Sequence, residues 1–128
     1  MENKNLINFQ GYSVEKFSME KNMNIPIEQK NTFDITFDTY VNKDKKHKNL
    51  YRAEFKIKVY TEISELYIEF NGYFEISEKL TKEDKDYFLN VTAATILYPY
   101  VRSFISNVTA FDKGQAVILP IINFADRT

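Results

Sequence analysis

Periodicity constrains this chain more than anything else in it: apolar and polar residues alternate strictly in three tracts, and then the period changes. Phe33, Ile35, Phe37 and Val41 alternate with Asp34, Thr36 and Asp38. Tyr51, Ala53, Phe55, Ile57 and Val59 take one side of the next tract, with Arg52, Glu54, Lys56 and Lys58 on the other. Leu66, Ile68, Phe70, Phe74 and Ile76 then alternate with Glu65, Glu69 and Glu75. A period of two is that of a strand with one apolar face. Slipping such a strand by one residue would turn its apolar face to water, so each register is strongly specified.

An earlier stretch, Leu6 to Lys21, alternates loosely, and its phase slips between Val14 and Phe17. A slip of that kind predicts a β-bulge or a strong bend. Asn22 to Lys30, with Pro26, breaks the pattern, and the polar, lysine-rich run Asn42 to Asn49 reads as a hairpin loop. The basic outer face of the third strand and the acidic outer face of the fourth are expected to pair, at about 0.2–1 kcal/mol per opposed pair. Gly72 predicts a bulge or a close backbone approach.

The period becomes helical after Thr81, a good N-cap followed by Glu83 and Asp84, where the helix dipole favours acids. Leu97, Val101, Phe104, Ile105 and Val108 follow the helical spacing. Pro99 either kinks one long helix or begins a second, and Gly114 is a plausible stop. Beyond it, Gln115 to Thr128 reads as extended. Strands first and helix last make this an α+β chain.

At 128 residues there is room for one domain, 1–128. A formal net charge of −1, from 17 basic and 18 acidic residues, argues against a nucleic-acid binder. There is no cysteine, hence no disulfide and no thiolate chemistry. No signal-peptide run and no membrane-length apolar run is found, which leads to the expectation of a cytoplasmic protein without membrane insertion. With 11 Phe and 9 Tyr, a small domain can hardly bury every aromatic, so some are expected at an oligomer interface or in a ligand groove.

Catalytic candidates are weak. His47, the single histidine, sits in Lys45-Lys46-His47-Lys48, where cations repel a metal, and reads as a solvated loop tip. Asn90-Val91-Thr92 and Asn107-Val108-Thr109 fit the glycosylation pattern by coincidence, inside helical stretches. Asp34 and Asp38 stand about 13 Å apart along a strand, too far for an acid/base pair. With 3 Gly, no phosphate loop is possible. We expect no enzyme activity, metal or cofactor. The apolar run from Val117 to Ile122 is either a strand covering the core or a wall of a hydrophobic groove that accepts other chains.

In order along the chain, several segments resemble the SecB family of export chaperones. Tyr12 to Glu20, ending Phe17-Ser18-Met19-Glu20, is similar to the family's first strand; Leu50 to Val59 resembles the third, and Gly72 to Ile76 the end of the fourth. Ile96-Leu97-Tyr98-Pro99-Tyr100-Val101-Arg102-Ser103-Phe104-Ile105-Ser106 is close to the helix motif, and Asn123-Phe124 matches the Asn-Phe after the family's crossover loop. The resemblance implies a four-stranded antiparallel sheet with a long, Pro-kinked helix packed on one face, assembled as a dimer of dimers. It implies an ATP-independent holdase for unfolded polypeptides or preproteins. By matching position, Phe33, Ile35, Phe37, Val117, Leu119 and Ile121 would form the client groove, and Tyr98, Val101, Phe104 and Ile105 would serve helix packing and subunit contacts. Glu20 and Glu69 match acidic positions used to dock the SecA motor. Lys16 replaces another, and nothing after Phe124 matches the family's second helix and tail, so SecA coupling is doubtful, while client binding is still implied. A chaperone dedicated to one partner, such as an antitoxin, is the alternative role. Outside the chaperone class, the fold would serve a small apolar-ligand-binding or structural oligomer.

Overall fold

A computed structural model describes residues 6–42, 49–111 and 116–127, and they cluster into two compact units, residues 1–80 and 81–128. The lysine-rich tip with Lys45, Lys46, His47 and Lys48, and the expected stop at Gly114, lie outside the described residues.

The first unit is a four-stranded antiparallel sheet built from β1 (Ile7–Lys21), β2 (Phe33–Val41), β3 (Leu50–Tyr60) and β4 (Ser64–Ile76), in the order β1-β4-β3-β2. Register puts the apolar halves of the alternation side by side. Ile35 opposes Ile57, which opposes Ile68, and Phe37, Phe55 and Phe70 form the next row. On the central strands Phe55, Ile57, Ile68 and Phe70 are each 0% exposed. Such rows of matched side chains are the unit of sheet stability.

The loose pattern of β1 has a simple origin. Its register against β4 shifts twice, between Phe9 and Gly11 and between Val14 and Lys16. Two inserted residues let Ile7, Phe9, Tyr12, Val14, Phe17 and Met19 all meet β4 on the apolar face, opposite Ile76, Phe74, Gly72, Phe70, Ile68 and Leu66. The second shift falls where the sequence predicts it. At the first, Gly11 adopts φ 119°, a conformation that a side chain disfavours. Gly72, by contrast, forms no bulge, because it pairs regularly with both Ala53 and Tyr12.

The expected ladder of charge pairs between β3 and β4 shrinks to one position, Lys56 opposite Glu69. Lys58 and Arg52 oppose Tyr67 and Tyr73 instead, and Arg52 turns along its own strand to Glu54, 3.0 Å away. The turn into β4 is tied by the Thr61 hydroxyl, which accepts from the Ser64 amide at 2.9 Å.

The second unit begins at the predicted cap: the Thr81 hydroxyl accepts from the Asp84 amide at 3.1 Å. One helical run follows, as α1 (Lys82–Tyr87), a π-helical turn (Phe88–Thr92) and α2 (Ala93–Ala110). The wide turn, closed by the Ala93 amide on the Phe88 carbonyl, resets the phase of the buried stripe. Pro99 lies inside α2 and does not begin a second helix; it has no N–H to give the carbonyl four residues back, yet the helix runs on to both sides of it. An extended segment and a 3-10 turn (Phe124–Arg127) complete the unit.

Candidate functional site

In the sheet unit, the apolar face is closed at its centre and open at its margins. An edge strand has a neighbour on one side only, so its side chains are covered on one flank. Tyr12 stacks on Phe70 at 5.1 Å between ring centroids and Phe9 on Phe74 at 5.0 Å, yet Tyr12 remains 50% exposed. Val14 and Phe17 are exposed beside them. On the opposite edge Phe33 is exposed, while Ile35 and Phe37 are half-buried, Phe37 resting on Phe55 at 4.7 Å. The connection between these strands buries Ile25 and exposes Met23 and Ile27.

In the helical unit, residues 116–123 run extended, and side chains of α2 hold their backbone. The Tyr98 hydroxyl donates to the Pro120 carbonyl at 2.7 Å, Arg102 Nε to the Leu119 carbonyl at 3.0 Å, and the Ser106 hydroxyl to the Val117 carbonyl at 2.9 Å. The Val117 amide in turn donates to Thr109 Oγ1 at 2.7 Å. Positions 98, 102, 106 and 109 fall on one helical stripe, so a single face of α2 meets a strand-like partner along its length. Leu119 is buried at 1% exposure, Val117 and Ile122 are half-buried, and Ile118 and Ile121 stand out at 73% and 85%. Two isoleucines are thus presented to solvent on backbone that is already ordered.

Of the residues expected to form a groove, Phe33, Ile35 and Phe37 therefore belong to the sheet unit, and Val117, Leu119 and Ile121 to the helical unit. Leu119 anchors the segment, and its neighbours Ile118 and Ile121 supply the accessible surface. Phe9, Tyr12, Val14, Phe17 and Ile118 were absent from the sequence-derived set. The apolar spacing of β1 marks its face, but only its edge position shows that the face stays open. In α2, Tyr98, Val101 and Ile105 are buried and Phe104 is half-buried.

The other face of the sheet is polar. Glu20 is exposed opposite Glu65, whereas Glu69 accepts from the Tyr67 hydroxyl at 2.6 Å and lies opposite both Lys16 and Lys56. The hydrogen bond to Glu69, helped by burial and by the negative charges of Glu69 and Glu54, pushes the Tyr67 phenol up to about 12. Lys16 Nζ sits 5.8 Å over the Tyr67 ring. Among the described residues no group of three or more His, Cys, Asp or Glu side chains could hold a metal ion, and no helix is long and apolar enough to cross a membrane.

Comparison with known proteins agrees with this architecture. The SecB family model, described as preprotein translocase subunit SecB, matches residues 2–126. A SecB-like chaperone from Mycobacterium tuberculosis, solved in complex with a peptide from the HigA1 antitoxin, shares the fold at TM-score 0.68 and 16% identity, over 92% of this chain and 91% of that one. A protein of unknown function from Streptococcus agalactiae does so at TM-score 0.62 and 16% identity, over 90% and 97%. An uncharacterized protein from Methanocaldococcus jannaschii is 40% identical over 60 residues, a stretch that spans 47% of this chain and 38% of the archaeal protein. The family model accounts for nearly the whole sequence and the sheet-then-helix order matches the solved relatives, so the chain belongs to the SecB family.

Proposed function

We propose that this chain is an ATP-independent holdase that binds unfolded polypeptide along hydrophobic surfaces and keeps it from aggregating. The observation that carries the proposal is the pair Ile118 and Ile121, exposed on an extended segment fastened by Tyr98, Arg102 and Ser106. Ordered backbone presenting apolar side chains loses little entropy when a second chain docks on it. Each client side chain buried there contributes about 1.5–3 kcal/mol before the client's own ordering is charged against it. Several such contacts along one chain raise avidity without demanding a sequence. Binding the unfolded state then withdraws it from aggregation by mass action. No step in this reading requires catalysis or a cofactor.

Phe33, Ile35 and Phe37 of the sheet unit and, separately, Val117 and Ile121 of the helical unit are the proposed client contacts, while Leu119, buried in the segment, is the anchor that holds Ile121 in place. The exposed apolar residues of β1 suit pairing with a second copy along the sheet edge, a step towards a dimer of dimers. Phe104, half-buried on α2, is the member of the helix set best suited to a subunit contact, while Tyr98, Val101 and Ile105 pack within the chain. We place this activity in the cytoplasm. A role in export through SecA has weak support, because Glu69 is engaged by Tyr67 and faced by lysines, which leaves Glu20 as the open acidic position.

A narrower reading has one observation in its favour. The Mycobacterium tuberculosis relative is a SecB-like chaperone bound to an antitoxin peptide, which supports a chaperone dedicated to one partner. Suppression of aggregation of chemically denatured clients tests both readings. The wild type is expected to protect unrelated clients at stoichiometric concentration, and Ile121→Asp to lose most of that protection while staying folded. No protection of any client would sink the general holdase, and protection of a single polypeptide would select the dedicated role.

A further inference from the structure

The proposed chaperone surface leaves the polar face of the sheet unused, and that face holds a cavity of about 260 Å³ at the base of the β2–β3 hairpin. Tyr40, Arg52 and Tyr73 lie in one row across β2, β3 and β4, and all three line it. Asn42 and Leu50, two residues further along their strands on the same face, close its end and are joined by a 2.9 Å bond from the Asn42 amide to the Leu50 carbonyl.

Arg52 is preorganised in this row. Its guanidinium lies 4.3 Å from the centre of the Tyr40 ring, and its Nη1 is 3.0 Å from the Glu54 carboxylate. Glu54, 8% exposed, also accepts from the Tyr40 hydroxyl at 3.4 Å. A planar cation stacked on one ring, with a second tyrosine on the neighbouring strand, makes a slot for another flat group. The pairing of Arg52 decides which kind. Among the described residues lining the cavity Arg52 is the one cation, and its Nη1 is already engaged by Glu54, which also lies 3.9 Å from Lys56 Nζ, so what Arg52 offers a ligand is its flat face. Size sets a second limit, because the cavity falls just below the range of about 300–1,000 Å³ typical of drug-sized ligands.

We infer that this cavity is a binding site for a single electron-rich aromatic ring with a polar edge, a phenol or an indole, either free or carried on a polypeptide side chain. Five of its seven described lining residues lie on the polar face, Val41 and Tyr51 at the hairpin end complete it, and the site does not depend on holdase activity. The chain has 9 tyrosines but no tryptophan, so an indole probe excited at the red edge, where tyrosine does not absorb, can be followed by its own fluorescence. N-acetyltryptophanamide is expected to bind the wild type saturably. Arg52→Lys keeps the charge but loses the flat face, and should weaken binding at least about fivefold. Tyr73→Phe keeps the ring and should stay within about twofold. Ile121→Asp, which removes a proposed client contact, should leave the probe's affinity unchanged, which separates this site from hydrophobic capture. Equal affinity for free indole and N-acetyltryptophanamide would identify a small-molecule site; tighter binding of a tryptophan-containing peptide would identify a side-chain pocket. The inference fails if the wild type shows no saturation, if Arg52→Lys binds equally well, or if acetate or inorganic phosphate binds through Arg52 while the ring does not. Should Arg52→Lys not fold, ring resonances of Tyr40 and Tyr73 in the wild type decide the matter: they shift on adding indole, or the inference is wrong.

Discussion

The extended segment should be loosened, without disturbing its packing, by removing one oxygen atom. Tyr98→Phe keeps the aromatic ring, which meets Phe124 edge-on at 5.4 Å and 78°, and deletes only the hydroxyl that donates to the Pro120 carbonyl at 2.7 Å. A net intramolecular hydrogen bond contributes about 0.5–1.5 kcal/mol. Pro120 is exposed, so water can satisfy its carbonyl in the variant, and the larger penalty for a stranded buried acceptor does not apply. The expected loss is therefore about 1 kcal/mol, equivalent to about 3–6 °C in melting temperature for a chain of this size. Burial pushes the Tyr98 phenol up despite the positive charge of Arg102, so the donor is intact at neutral pH. Urea unfolding followed by far-UV circular dichroism should show a lower midpoint with an unchanged slope. Combining Tyr98→Phe with Ser106→Ala adds a sharper requirement. If both side chains hold the same segment, the double variant should lose less than the sum of the singles, because a segment freed at one end strains less on the other. Strict additivity, or a Tyr98→Phe loss below about 0.3 kcal/mol, the usual error of such comparisons, would refute the idea that these side chains hold the segment as a unit.

Other outcomes follow from the sheet. Gly11→Ala should cost about 1–3 kcal/mol in urea unfolding, because φ 119° strains any side chain; open space around the new Cβ means that a neutral result would remove the conformational argument altogether. Tyr67 holds its proton more tightly when folded, with a pKa raised from 10.0 to about 12. Its contribution to stability is therefore fully present below pH 10 and is lost as pH rises through 12. Tyr67→Phe should flatten that alkaline loss, and a variant as sensitive as the wild type between those limits would show that another group is responsible.

Much of the fold is legible along the chain because strand and helix periods differ and each leaves a repeating mark. The second bulge of β1 shows as a slip in alternation, and the cap at Thr81 as a hydroxyl before two acids. Other features carry no such mark. The π-helical turn at Phe88–Thr92 has no proline or glycine to announce it, while Pro99 attracts attention inside a helix that runs on. Charge pairing across β3 and β4 fails for a similar reason: composition lists lysines and glutamates, but register decides that Lys58 and Arg52 face tyrosines.

By itself the sequence determined which side chains share a face, since side-chain direction alternates with the backbone regardless of what lies nearby. It also marked residues 117–122 as apolar. Tertiary structure decided how open each face is. Phe17 and Ile68 are paired on the same face, yet Ile68 is closed and Phe17 is 39% exposed, because β4 is central and β1 is an edge. In the extended segment, the stripe of Tyr98, Arg102, Ser106 and Thr109 orients the backbone, so Leu119 is buried and Ile121 is exposed. Burial depends on which neighbours fill the space around a residue, and those neighbours are brought there by distant parts of the chain.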